Sequence, residues 1–211
     1  MKSRKGLLGR SRLYLILDKQ TAGKNSLSGI IKKFSKCGID IVQLRDKTSG
    51  KELILRDAHL LRKLLADTGI LFIVNDHLDI ARIVECDGVH LGQEDTSIEV
   101  ARRILGRDKI IGISCHTLSQ ALDAQKSGAD YLGIGPIFPT PTKPDYKPIG
   151  LGLIRKLKNK IKIPMFAIGD INQGNINKVL SSGVNRVALC RAILKAKNTF
   201  LAAKYFSQIL H

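Results

Sequence analysis

The sequence predicts a (β/α)8 TIM barrel, an α/β fold formed as one domain. Three observations carry that expectation. Eight short apolar runs alternate with longer amphipathic ones, and several of the runs are near-continuously apolar, as parallel strands covered on both faces are. One glycine-bearing joint also recurs at three places where a helical stretch hands over to a strand.

Taken in order, the chain opens with "MKSRKGLLGRSR", a basic leader over residues 1 to 12, and the barrel domain is expected over residues 13 to 211. The first apolar run, "LYLIL", is five residues long and ends at Asp18, too short for a signal segment or a membrane span, and it reads as the first strand. The next runs are "IDIVQL" (39 to 44), "LFIV" (71 to 74), "GVHL" (88 to 91) and "IIGIS" (110 to 114). "YLGIG" (131 to 135), "PMFAIG" (164 to 169) and "RVALC" (186 to 190) complete the eight. Between them lie helical stretches. Residues 50 to 69 place Leu53, Arg56, Leu60, Leu61, Leu64 and Leu65 at the spacing of one buried face, and residues 117 to 130 form another helix. The recurring joints are "SKCGIDIV", "QKSGADYL" and "LSSGVNRV", each with glycine where a helix ends in a left-handed residue. A doubly wound open sheet is the alternative fold, but no G-x-G-x-x-G fingerprint follows the first strand.

Composition narrows the function classes. The net charge of +17, from 35 Lys+Arg against 18 Asp+Glu, predicts an anionic partner: nucleic acid, a membrane surface or phosphorylated small molecules. Part of the excess, at Lys32, Lys33, Lys36, Arg155, Lys156, Lys158 and Lys160, reads as the solvated face of helices. The four cysteines are far apart, with neither the paired spacing of a zinc site nor the density of a disulfide scaffold, which suggests a reducing, cytoplasmic location.

In a barrel the chemistry sits where strands end, and the strand ends here are unusually rich. "QLRDK" sends Gln43, Arg45 and Lys47 the same way, an amide and two cations suited to a polyphosphate. "NDH" brings Asn75, Asp76 and His77, and "HLGQED" brings His90, Gln93, Glu94 and Asp95. Asp76 and Asp95 read either as helix caps, with Thr96 competing for the second, or as carboxylates for a hard cation completed by phosphate oxygens. "SCH" delivers Ser114 and His116 without a nucleophile elbow, and His116 reads equally as a helix-start residue. His59 and His211 read as surface residues. "AIGD" ends at Gly169 and Asp170 before a helix expected to start near Ile171, a place where such barrels often hold phosphate. The segment "GIGPIFPTPTKPDYKPIG" packs five of the six prolines around Thr140, Thr142 and Lys143. Each proline fixes φ near −65° and restricts its predecessor, so a stiff βα loop is expected.

In order and on successive strand ends, "QLRDK", "NDHLDIA", "GVHLGQED", "IGISCH", "YLGIGPIFPTPTK" and "FAIGD" resemble the thiamine-phosphate synthase family over residues 11 to 195. That resemblance implies a triosephosphate-isomerase-type barrel. It also implies a transferase joining 4-amino-5-hydroxymethyl-2-methylpyrimidine diphosphate to a thiazole phosphate with Mg²⁺, releasing diphosphate. Gln43, Arg45, Lys47, Asn75, Ser114 and Lys143 would hold the pyrimidine diphosphate, with Arg45, Lys47, Ser114 and Lys143 acting in catalysis. Asp76 and Asp95 would bind the metal, and Thr140, Thr142 and Gly169 would face the thiazole phosphate. The chain departs from the family's usual pattern at Asp170, where a second glycine is common, and at Cys190 and Arg191, where a small pair is common. Arg191 is therefore expected either to pair with Asp170 or to grip the thiazole phosphate, which places Cys190 and Arg191 among the substrate-binding residues.

Two rivals remain in view. A thiazole tautomerase of the same family would need neither the diphosphate grip nor the metal. A basic nucleic-acid-binding protein is motivated by charge, but aromatic content is 5%, tryptophan is absent and no binding motif occurs. Partners are therefore expected to be small phosphorylated substrates, with no nucleic acid and no membrane; the sequence allows a homo-oligomer without specifying one.

Overall fold

The eight apolar runs become eight parallel strands of one closed barrel, in a computed structural model that describes residues 3–23, 27–34, 36–141 and 147–211. In chain order the elements are α1 (Arg4–Arg10), β1 (Leu13–Asp18), α2 (Lys19–Ala22), α3 (Leu27–Phe34), β2 (Ile41–Arg45), α4 (Lys51–Leu65), β3 (Leu71–Asn75) and α5 (Leu78–Ile83). They continue with β4 (Gly88–Leu91), α6 (Ile98–Leu105), β5 (Ile110–Cys115), α7 (Leu118–Lys126), β6 (Tyr131–Ile134) and α8 (Gly150–Leu157). β7 (Met165–Ile168), α9 (Ile176–Ser181), β8 (Val187–Leu189), α10 (Arg191–Leu194) and α11 (Thr199–Leu210) complete the chain. β1 pairs with both β2 and β8, so no strand edge is left open.

Alternation along each strand divides the apolar side chains between two cores. Leu13, Leu15, Leu17, Val42, Leu44, Phe72 and Val74 face the helices, while Tyr14, Ile16, Ile41, Leu71, Tyr131 and Phe166 fill the barrel interior. Both faces of each strand are thus buried, which is why the strands read as continuous apolar runs rather than alternating ones. The three recurrent joints behave as expected: Gly38, Gly128 and Gly183 have φ of 74°, 90° and 97°.

A second repeated device accompanies them. Asp40, Asp87 and Asp130 each precede an even strand and accept backbone N–H groups at the start of the odd strand before it: Leu13 at 2.9 Å, Phe72 at 2.9 Å and Ile111 at 2.9 Å. The same carboxylates tie down the basic leader, because Arg4 pairs with Asp87 at 2.7 Å and Lys5 with Asp130 at 2.9 Å. The leader is the helix α1, and its Leu8, 3% exposed, packs into the interior cluster from the N-terminal end of the barrel.

One helix face differs from expectation. α4 buries Ile54, Asp57, Ala58, Leu61 and Leu65, whereas Arg56 is exposed and Leu60 is 37% exposed. The helix carries leucines on two sides, and the strip at spacing 4, 3 and 4 from Ile54 is the one that faces the barrel. Asp57 tolerates burial there because it accepts an ion pair from Lys19.

Candidate active site

The C-terminal ends of the strands open onto a pocket of about 730 Å³, counted with its mouth. Arg45, Ser114, Thr140, Gly169, Cys190 and Arg191 lie on its wall, as the strand-end argument requires. Asp170, His116 and Ile16 line it as well. Gln43, Lys47, Asn75, Asp76 and Asp95 do not. Lys47, Asp76 and Asp95 instead form a group around the ends of β2, β3 and β4, while Gln43 and Asn75 are 2% and 8% exposed. Thr142 and Lys143 lie outside the described residues.

Arg45 is positioned by a residue that the motif reading passed over. Asp18, at the end of β1 and directly beside Arg45 in register, accepts a hydrogen bond from Arg45 Nη1 with one carboxylate oxygen. Its other oxygen accepts from Thr21 N at 2.8 Å and so caps α2. Both side chains are nearly buried, at 4% for Asp18 and 13% for Arg45. A planar guanidinium held on one edge keeps the orientation of its remaining N–H groups, which suits forked binding of an anion. An acid at a strand end was the available signal.

The two acids expected as caps or metal ligands are not caps. Ser97 caps α6 and accepts from Val100 N, displacing both Asp95 and Thr96 from that role. His77 occupies the N-cap position of α5, and Asp76 adopts φ of 61°, a conformation an aspartate tolerates at modest cost. That geometry turns the Asp76 carboxylate onto the Lys47 ammonium. Burial raises the Asp76 carboxyl above its ordinary range; Lys47 opposes this, and the neighbouring Asp95 carboxylate adds to it. Asp95 itself accepts from Gly92 N at 2.6 Å, which fixes the turn that carries it. Two carboxylates close enough to repel each other suit a hard cation, and Mg²⁺ characteristically takes one or two protein carboxylates plus phosphate oxygens and waters. Among the described residues no third His, Cys, Asp or Glu joins them.

The β7 end is tighter than the sequence suggests. Gly169 has φ of 111°, and an added Cβ would stand 2.5 Å from Pro136 Cα, so the glycine is required for close packing as well as for the turn. Ile137 N donates to Ile168 O at 2.8 Å and Ile149 N to Pro136 O at 2.8 Å, which pins both feet of the proline-rich loop. The helix expected near Ile171 begins at Ile176 instead. Asn172 and Asn175 both donate to Asp170 O, at 3.1 and 3.0 Å, and this asparagine turn occupies the intervening residues. The Arg191 and Asp170 side chains come no closer than 3.9 Å and are 46% and 39% exposed, so their pairing is loose. His116 is not the cap of α7, a role taken by Thr117; its ring donates to Gly135 O on the pocket wall.

Beneath the pocket floor lies a group of residues with no assigned role in the motif reading. Tyr14, Tyr131 and His90 join Gln43 to Ser114 through consecutive hydrogen bonds of 2.7, 2.8, 2.9 and 2.9 Å. No sequence spacing announces this chain, since its members come from five different strands.

A closed parallel barrel with an oriented arginine, a lysine and paired carboxylates at its C-terminal mouth defines an enzyme of the phosphate-handling barrel class. Comparison with known proteins supplies the particular family. The family model described as thiamine monophosphate synthase matches residues 13–193. Thiamine-phosphate synthase from Shouchella clausii is 43% identical over 194 residues, covering 92% of this chain and 93% of that protein. The one from Halalkalibacterium halodurans is 42% identical over 200 residues, covering 94% and 95%. The solved structure of thiamine phosphate pyrophosphorylase from Pyrococcus furiosus superposes with a TM-score of 0.87 at 36% identity over 97% of both chains. The chain belongs to the thiamine monophosphate synthase family.

Proposed function

We propose that this chain carries out thiamine-phosphate synthesis, as a transferase, by a dissociative substitution that uses the strand-end charges on the leaving group. The family membership supports the activity, and the Arg45–Asp18 pair at the pocket wall is the observation that carries the mechanism.

In this reading the C–O bond to diphosphate breaks first, its electrons leave with the diphosphate, and a carbocation remains on the pyrimidine methylene. The thiazole nitrogen then donates its lone pair to that carbon. Such a reaction asks for charge stabilisation and positioning rather than a nucleophile or general base. Arg45 at the end of β2 and Lys47 in the loop that follows bind the departing diphosphate, and Lys143 is assigned there by the resemblance. Ser114 contributes a hydroxyl from β5. Asp76 and Asp95 would hold Mg²⁺, which when bound neutralises phosphate charge as a Lewis acid. Thr140, Gly169 and Arg191 face the second phosphate across the pocket, Thr142 joins them by resemblance, and Cys190 contributes an apolar thiol to the wall.

The test is incubation of the protein with both substrates and Mg²⁺, assayed for diphosphate and thiamine phosphate. Both products should form in equal amounts and both should cease with EDTA. Thiazole conversion without diphosphate, a tautomerase outcome, would overturn the reading.

A further inference from the structure

The buried chain Gln43–Tyr14–Tyr131–His90–Ser114 has a direction that hydrogen-bond arithmetic determines. Gln43 Nε2 can only donate, so Tyr14 O accepts from it at 2.7 Å. Tyr14 has one hydroxyl proton and gives it to Tyr131 at 2.8 Å; Tyr131 in turn has one proton and gives it to His90 Nδ1 at 2.9 Å. A neutral imidazole that accepts at Nδ1 carries its proton on Nε2, and His90 Nε2 lies 2.9 Å from Ser114 Oγ. Ser114 Oγ therefore accepts from His90, and its own proton is directed elsewhere. Ser114 lines the pocket, whereas Gln43, Tyr14, Tyr131 and His90 do not.

Two further observations indicate that the chain is built rather than incidental. Both phenols are fully buried, which holds them protonated well above their ordinary range, so each keeps the single proton that the arithmetic needs. Room for the rings comes from two strand glycines. A Cβ at Gly112 would overlap the Tyr131 ring, and one at Gly133 would stand 3.2 Å from His90 Cε1. The His90 and Tyr131 rings stack at 5.5 Å within that space.

We infer that His90 is a positioning residue: held as its Nε2–H tautomer by the Gln43–Tyr14–Tyr131 relay, it turns the Ser114 hydroxyl into a hydrogen-bond donor aimed at an anionic oxygen in the pocket. The inference rests on the reading above for the identity of that anion, and on the hydrogen-bond chain alone for the tautomer. Reversal of the Gln43 amide would reverse every bond in the chain, leaving Ser114 to donate to His90 and to present only lone pairs to the ligand. Gln43 thus governs a hydroxyl that it does not touch.

The test reads the His90 ring nitrogens by ¹⁵N NMR in the substrate-free protein, with His90→Gln used for assignment. In the natural chain Nδ1 should be pyridine-type and Nε2 pyrrole-type. Gln43→Glu at pH 9 supplies an ionised carboxylate that only accepts, so the two signals should exchange character. Tyr131→Phe added to Gln43→Glu should cancel that exchange, because the relay is cut. Alone, Tyr131→Phe should lower kcat about tenfold with little change in KM, the scale expected when a supporting hydrogen bond is lost; Tyr14→Phe serves as the second relay variant if Tyr131→Phe fails to fold. An Nδ1–H tautomer in the natural chain, or a tautomer indifferent to Gln43→Glu, would overturn the inference even in a fully active enzyme. Absence of thiamine phosphate alongside the expected tautomer would count against the proposed function instead.

Discussion

Asp18 and Arg45 stand side by side at the ends of β1 and β2, joined by an ion pair that is almost wholly buried. The carboxylate does two jobs with two oxygens, capping α2 through Thr21 and orienting the guanidinium that faces the pocket.

Asp18→Asn separates those jobs, since asparagine caps helices about as well as aspartate but does not neutralise arginine. Equilibrium unfolding should show a loss of about 3 kcal/mol, the cost of leaving a buried charge unpaired. Initial-rate kinetics should show kcat/KM for the pyrimidine diphosphate falling by at least about tenfold, with the thiazole-phosphate KM little changed.

Asp76→Asn keeps a residue that tolerates φ of 61° while removing the charge that pairs with Lys47 and that the proposed Mg²⁺ would require. Turnover should fall about 100-fold, the scale of losing one electrostatic contact to a developing charge. The Mg²⁺ concentration at half-maximal rate should rise, and thiazole-phosphate binding measured by calorimetry should not change.

Arg191 and Asp170 line the same stretch of pocket, and their 3.9 Å separation leaves the arginine available to an anion. Arg191→Ala should raise the thiazole-phosphate KM about tenfold, the value of one charge-assisted contact. Asp170→Gly should lower that KM, because it removes both a negative charge and a residue at φ of 43°.

Cys190 lines the pocket, yet burial pushes its thiol up to about 11, with Asp18 adding to the shift and Thr21 and Arg45 opposing it. A raised thiol pKa means that the reactive thiolate is scarce below that value, about one part in a thousand at pH 8. Alkylation by iodoacetamide, followed by mass spectrometry, should be slow at pH 7 and accelerate steadily with rising pH, and unfolding should abolish the difference from a free cysteine.

Leu8 seats α1 in the N-terminal end of the barrel, opposite the pocket. Leu8→Ala should cost about 2–4 kcal/mol in urea unfolding through the lost burial and the cavity left behind. The specific activity of the folded fraction should remain that of the natural chain.

The strands and their order were legible in the sequence because their causes are local. A strand buried on both faces must be apolar throughout, and a helix that turns into a strand at Gly38, Gly128 or Gly183 needs a left-handed residue at that point. The strand-end residues were legible for the same reason, since a barrel displays the last residue of each strand at its mouth. Partner choice was not legible. Which face of α4 would turn inward, that Ser97 would cap α6, and that Asp18 would hold Arg45 depended on which groups the closed barrel brings into contact. The relay from Gln43 to Ser114 is the clearest case: its links join residues 24 to 117 positions apart, and only the register of the closed strands places them in one line. Periodicity and turn chemistry act along the chain, so sequence alone determined the architecture and which residues stand at the strand ends; hydrogen bonds across the barrel act through space, so the tertiary structure decided which of those residues reach the pocket and how they are held.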